Sequence, residues 1–224
     1  MAFMENVPCQ IEGKKYLEQI AEKYPNKKIR IGGHSKGGNV AIYSAIMVDK
    51  KIQDRIMKVY NYDGPGFNKQ FIDSHNENAI INKINTYFPQ GSIIGRIMNH
   101  EEKCLVVLST ERGIYQHDIF SWQVMGTDLI YSAELTNTSD TMNKTVTNWL
   151  ESTTNDQRKI FFDTVFELFY STEAQTFKEM SKHLSKNLPK IIKHYGEISS
   201  EDKKMITDMV KLFTITYVKE LFSR

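Results

Sequence analysis

The chain has 224 residues, 25% charged and 40% apolar, with 29 Lys and Arg against 27 Asp and Glu and a formal net charge of +2. That length suits one globular domain with helical additions, and a nearly balanced charge gives no electrostatic footprint for nucleic acid. Two cysteines without metal or disulfide spacing, Cys9 and Cys104, point to a reducing, cytoplasmic setting. No 18-residue apolar run and no basic-then-apolar start are present, so we expect neither a transmembrane helix nor a secretory leader.

In chain order, Ile11, Tyr16, Leu17, Ile20 and Ala21 make an amphipathic helix over 11–24, closed by the turn Tyr24-Pro25-Asn26. Lys28-Ile29-Arg30-Ile31 is a strand. It runs into Gly32-Gly33-His34-Ser35-Lys36-Gly37-Gly38 and then a helix to about residue 49, with Ala41, Ile42, Ala45 and Ile46 on one stripe. Met57 to Tyr62 is a second strand, stopped by Asp63-Gly64-Pro65-Gly66, and 68–82 reads as helical. Ile84 to Phe88 is a third strand, ended by Pro89-Gln90-Gly91. A short helical segment carries Ile93, Ile94, Ile97 and Met98, and Cys104 to Leu108 is a fourth strand. Residues 115–122 form a loop, and 127–131 extend or edge the sheet. From about 138 onward the pattern is helical, with breaks near Asn155, Asn187-Leu188-Pro189 and Gly196. Strands alternating with helices predict a mostly parallel sheet covered on both faces, an α/β core over 1–137. An all-helical region over 138–224 is expected to pack on it.

Strand, glycine-walled turn and helix is the setting in which Gly-x-Ser-x-Gly becomes a nucleophile elbow. Ser35 is the nucleophile it presents, with Gly33 and Gly37 relieving crowding on either side and Gly38 thinning the first helical turn. The helix N-terminus aims free N–H groups at the serine, and the backbone N–H of Lys36 is the first oxyanion donor. The blander reading of Ser35 is a helix N-cap without chemistry.

A serine nucleophile needs a base, and the base an orienting acid. His34 sits inside the elbow and cannot swing back onto the serine. His75, His183 and His194 lie on helical patterns, and His100 reads as exposed. His117 lies in a loop after the last strong core strand, beside Ile119, Phe120 and Trp122, which could desolvate it. It is the base we select, against the alternative of a loop histidine paired with Asp118. For the acid, Asp63 stands at the carboxyl end of the strand that follows the elbow helix, where ligand-facing residues of such sheets gather. The alternative is that Asp63 only makes an Asx-type turn before Gly64. The second oxyanion donor normally comes from a loop after an earlier strand, and too little chain precedes the elbow to hold one.

The runs Gly33-His34-Ser35-Lys36-Gly37-Gly38-Asn39, Tyr62-Asp63-Gly64-Pro65-Gly66 and His117-Asp118-(x)2-Ser121-Trp122 together resemble a bacterial family of lipase-like α/β-hydrolases. That family is distantly related to the class 3, fungal-type lipases, whose elbow also reads Gly-His-Ser-x-Gly-Gly. The resemblance implies an α/β-hydrolase fold, Ser35 as nucleophile, His117 as base, and hydrolysis of a carboxylic ester or lipid with no cofactor and no metal. Class 3 lipases carry their acid after a later strand, where this chain has Gln90 to Ser92. Members of the family also look longer at the N-terminus, so we expect a truncated or internally started chain whose early strands are missing.

Two functions follow. One is a serine hydrolase acting on a small-molecule or lipid ester through Ser35, His117 and Asp63. The other is a non-catalytic hydrolase-like scaffold that binds a partner, with a homodimer covering the exposed sheet edge. A membrane-surface contact through Lys182, Lys186, Lys190 and Lys193 is a lesser alternative. Nucleotide binding at the glycine-rich turn is disfavoured, because neither the phosphate-loop nor the dinucleotide spacing is present.

Overall fold

The computed structural model describes residues 6–75, 79–172 and 184–222. The chain divides into two compact units, Met1–Asn143 and Lys144–Arg224.

The first unit is a four-stranded parallel sheet in sequential order, β1 (Ile29–His34), β2 (Ile56–Tyr62), β3 (Ile84–Pro89) and β4 (Lys103–Val107), flanked by helices. Helix α1 (Pro8–Lys23) packs on α2 (Lys36–Met47), which lies on β1 and β2. A four-residue helix, α3 (Lys50–Gln53), turns the chain into β2. Pleating puts alternate residues on opposite faces. The α2 side therefore receives Ile31, Val59 and Ile84, which join Ile42, Ala45 and Ile56 in one apolar core. The opposite face bears Gly32, Tyr60, Tyr62 and Tyr87. Tyr62 stacks on Tyr87 at 5.4 Å and meets the edge of the buried Trp122 at 6.2 Å.

Several local expectations change. The 68–82 helix is shorter, α4 (Lys69–His75), with a 3-10 turn over Ala79–Lys83 and residues 76–78 outside the described set. No helix forms over 93–98. Ser92 N bonds to Pro89 O and Ile97 N to Ile94 O, isolated turns around Gly91 and Gly95 whose close neighbours leave no room for a Cβ. Residues 115–122 are two 3-10 turns, Gly113–His117 and Ile119–Ser121. The 127–131 segment both folds on itself and edges the sheet. β5 (Val124–Met125) and β6 (Asp128–Leu129) make a hairpin, and Leu108 N and Ser132 N bond across to Ile130 O and Val106 O.

Helix α5 (Asn137–Glu151) spans the division between the units. The second unit continues with α6 (Asn155–Ser171), α7 (Leu184–Glu197) and α8 (Ser200–Phe222). Trp149 anchors it, donating Nε1–H to Met209 O at 3.0 Å with Phe161 and Phe213 edge-on to its ring. The break expected at Asn187-Leu188-Pro189 is absent: α7 runs through Pro189, which forgoes one backbone bond without ending the helix. His183 and Lys182 lie outside the described residues. Among the described residues, no helix is long and apolar enough to cross a membrane.

Candidate active site

The carboxyl ends of the four strands each deliver one element of the site. After β1 comes Ser35, at φ 57° and ψ −129°, a backbone state that a non-glycine residue holds only when its surroundings impose it. Its N–H donates to Tyr62 O at 2.9 Å, and Gly38 N turns back to Ser35 O at 2.9 Å, closing a tight strand-to-helix corner. A Cβ on Gly33 would fall 2.2 Å from the Gly37 backbone, and one on Gly38 would fall 1.9 Å from Asn61 Oδ1. Gly37 faces open space, so the second required glycine is Gly38, contrary to the crowding expected at Gly37. Ser35 occupies the N-cap position of α2, but its side chain makes no cap bond, and its hydroxyl has no hydrogen-bond partner among the described residues. Lys36 opens α2, so its N–H has no intrahelical acceptor. The Lys36 ammonium is buried without a hydrogen-bond partner among the described residues. Burial lowers its pKa, with Cys9 acting the other way.

After β2 comes Asp63, 1% exposed and also left-handed at φ 51°. One carboxylate oxygen accepts from His117 Nδ1 at 2.8 Å and the other from Ser92 Oγ at 2.5 Å. The Asx turn belongs to Asn61, whose Oδ1 accepts from Gly64 N at 2.9 Å, so Asp63 is free for the imidazole. After β3, Ser92 holds Asp63 while Ser139 Oγ donates to Ser92 O at 2.5 Å. After β4, the first 3-10 turn ends at His117, whose side chain is 25% exposed. Its neighbour Gln116 is fixed from both sides, accepting from Gly91 N at 3.0 Å through Oε1 and from Trp122 Nε1 at 2.8 Å through its carbonyl.

The structure therefore joins Asp63 to His117 and seats the Asp63-Gly64 corner against the elbow, where a Cβ on Gly64 would lie 2.3 Å from Ser35 O. No hydrogen bond links Ser35 Oγ to His117 among the described residues. Asp118 is not the partner of His117; it caps the next turn, accepting from Phe120 N at 3.0 Å. Phe120 is 93% exposed and does not cover His117, whereas Trp122 is buried.

Three residues escaped the sequence reading. Ser92 stands after β3, where class 3 lipases carry their acid, and its Oγ donates to Asp63. Asn39, 1% exposed, donates Nδ2–H to Pro65 O at 3.1 Å and Gly66 O at 3.0 Å, tying α2 to the loop behind Asp63. His34 bonds through Nε2 to His117 O at 2.7 Å. Only Asn39 gave a signal, a polar residue inside an otherwise apolar helical stripe.

His100 is not exposed as expected: its side chain is 9% accessible and its Nδ1 lies 2.7 Å from Glu102 Oε1. Cys104 Sγ lies near both, the three ligand atoms falling within 4.8 Å of one another. His100 Nε2 is also engaged, at 2.7 Å from Gly95 O, and burial with the Glu102 charge pushes the Cys104 thiol up to about 12. Those groups make a complete buried ion pair with a thiol that resists ionisation.

A family model described as Mbeg1-like matches residues 1–167. The chain belongs to the Mbeg1-like family. The Mbeg1-like match spans Ser35, Asp63, Ser92 and His117. No curated protein and no solved structure matches the chain.

Proposed function

We propose that this Mbeg1-like chain is a lipase-like serine hydrolase acting on a small-molecule or lipid carboxylic ester in the cytoplasm. The observation that carries the reading is the Asp63–His117 contact of 2.8 Å, set beside a serine held at φ 57° between strand and helix. Asp63 accepts the Nδ1–H, which fixes the tautomer with the lone pair on Nε2. Ser35 Oγ attacks the ester carbonyl of bound substrate and His117 Nε2 takes its proton. His117 returns the proton to the leaving alkoxide, and a water then releases the acyl group by the same route. The Lys36 N–H donates to the oxyanion at the positive end of α2. A fluorophosphonate probe tests this: wild type is labelled and Ser35→Ala is not. Folded wild type that takes no label and turns over no short p-nitrophenyl ester refutes it.

A second reading, a non-catalytic scaffold, is favoured by one feature. Ile29 N and Ser35 N bond across to β2, so alternation turns the N–H groups of Arg30, Gly32 and His34 to the outer side of β1, where they have no partner among the described residues. Such an edge invites pairing with a second strand. A homodimer by light scattering together with absent labelling would favour this reading, and a labelled monomer excludes it.

A further inference from the structure

Beside the base stands a residue to which the hydrolase chemistry gives no role. His34 closes β1 immediately before Ser35 and is in register with Tyr62. Its Nε2 lies 2.7 Å from the backbone oxygen of His117, and its ring centroid lies 4.5 Å from that of His117, tilted by 38°. A carbonyl oxygen only accepts, so His34 Nε2 carries the proton in this contact.

We propose that His34 is a positioning residue for His117: its Nε2–H pins the backbone of the base, and its ring braces the imidazole. This inference rests on Ser35 and His117 acting as nucleophile and base. The 3-10 turn that carries His117 lies outside the sheet, and Asp63 grips the imidazole at Nδ1 alone. One hydrogen bond lets the ring pivot about that contact. A second tie, at the carbonyl of the same residue, fixes the other end of the side chain and gives the Nε2 lone pair one direction. The tie comes from the residue next to the nucleophile, so strand β1 sets both reacting groups in one frame. Desolvation lowers the His34 pKa below its ordinary value, which disfavours a second positive charge beside the His117 imidazolium.

The test combines labelling rates with nitrogen NMR of the histidine rings in wild type, His34→Gln and His34→Phe. Gln keeps an N–H donor at similar reach, whereas Phe keeps a ring without a donor. His34→Gln is expected to hold His117 in the Nδ1–H tautomer and to label within about threefold of wild type. His34→Phe is expected to broaden the His117 ring-nitrogen signals as the ring pivots and to slow labelling by about tenfold or more, as misplaced catalytic groups do. Equal rates and equal His117 spectra in all three proteins overturn the proposal, as does a Gln variant as impaired as Phe. Should His34→Phe not fold, His34→Asn, too short to reach the carbonyl, takes its place. A wild type that takes no label but whose His117 ring-nitrogen signals broaden in His34→Phe refutes the nucleophile assignment and supports the tie.

Discussion

Replacing Asp63 with Asn keeps shape and volume, and Asn tolerates the φ of 51° as well as Asp does. The change therefore acts through charge and hydrogen bonding and not through packing. The carboxylate accepts two bonds, from His117 Nδ1 at 2.8 Å and from Ser92 Oγ at 2.5 Å, and at 1% exposure water cannot replace either. An amide has one acceptor and one donating NH2. The Ser92 hydroxyl keeps its bond by donating to the amide oxygen, with the Ser92 backbone held at its carbonyl by Ser139 Oγ. If the amide oxygen faces Ser92, the NH2 faces His117, and the imidazole must present Nδ1 as an acceptor. The proton then sits on Nε2, the atom meant to accept the proton of Ser35. Loss of the base in this way is worth about 10²- to 10⁴-fold in rate, or about 2.7–5.4 kcal/mol of transition-state stabilisation. The assay is the second-order rate of fluorophosphonate labelling, followed by intact mass beside a thermal melt. A folded Asp63→Asn that labels at the wild-type rate refutes the acid assignment, and loss of labelling with unchanged melting supports it.

Gly33→Ala forces a Cβ to within 2.2 Å of the Gly37 backbone, which cannot rotate away; overpacking of this kind costs about 1–3 kcal/mol and several degrees in Tm, whereas Gly37→Ala, facing open space, melts at or slightly above wild type. An equal effect of the two substitutions would contradict the elbow packing. Glu102 gives a pH signature. Burial pushes its carboxyl up, but the hydrogen bond and charge of His100, with the Thr86 hydroxyl, pull it further down, to a net value below 4.5. A depressed folded pKa contributes stability that is present above the unfolded value and is lost as pH falls through the folded one. Thermal melts should therefore fall less steeply on acidification in Glu102→Gln than in wild type, and parallel curves would show that the pair contributes nothing. The Cys104 thiol, exposed beside Glu102, is pushed up to about 12, which lowers its thiolate fraction at mildly alkaline pH. Alkylation should be correspondingly slow at Cys104 and faster in Glu102→Gln, as read by peptide mass mapping.

Much of the framework was legible before any fold was known, because it is written in local periodicity. The four strands match their apolar runs to within a few residues, and three of them are bounded by a turn signal: Pro25 before β1, Gly64-Pro65 after β2 and Gln90-Gly91 after β3. The failures came where turn geometry or tertiary contact overrides periodicity. Ile93, Ile94, Ile97 and Met98 have helical spacing, yet Gly95 lies against Asp63 Oδ1 and Phe88, and that close approach fixes the chain in turns. Pro189 looked like a break, but one lost backbone bond did not end α7. His100 looked exposed beside two glutamates, and pairing with Glu102 made its burial affordable.

The sequence by itself determined the α/β order, the strand–turn–helix around Ser35, and the short set from which base and acid had to be drawn. Those features depend on residues adjacent in the chain, where backbone sterics and alternation act over one or two turns. Which carboxylate meets which imidazole was decided only in three dimensions. Asp63 and His117 are 54 residues apart, and they meet because parallel strands in sequential order bring every carboxyl end to one edge of the sheet. The same edge brings Ser92 to Asp63 and His34 to His117. No spacing rule encodes these contacts, since each depends on how far a loop travels after its strand.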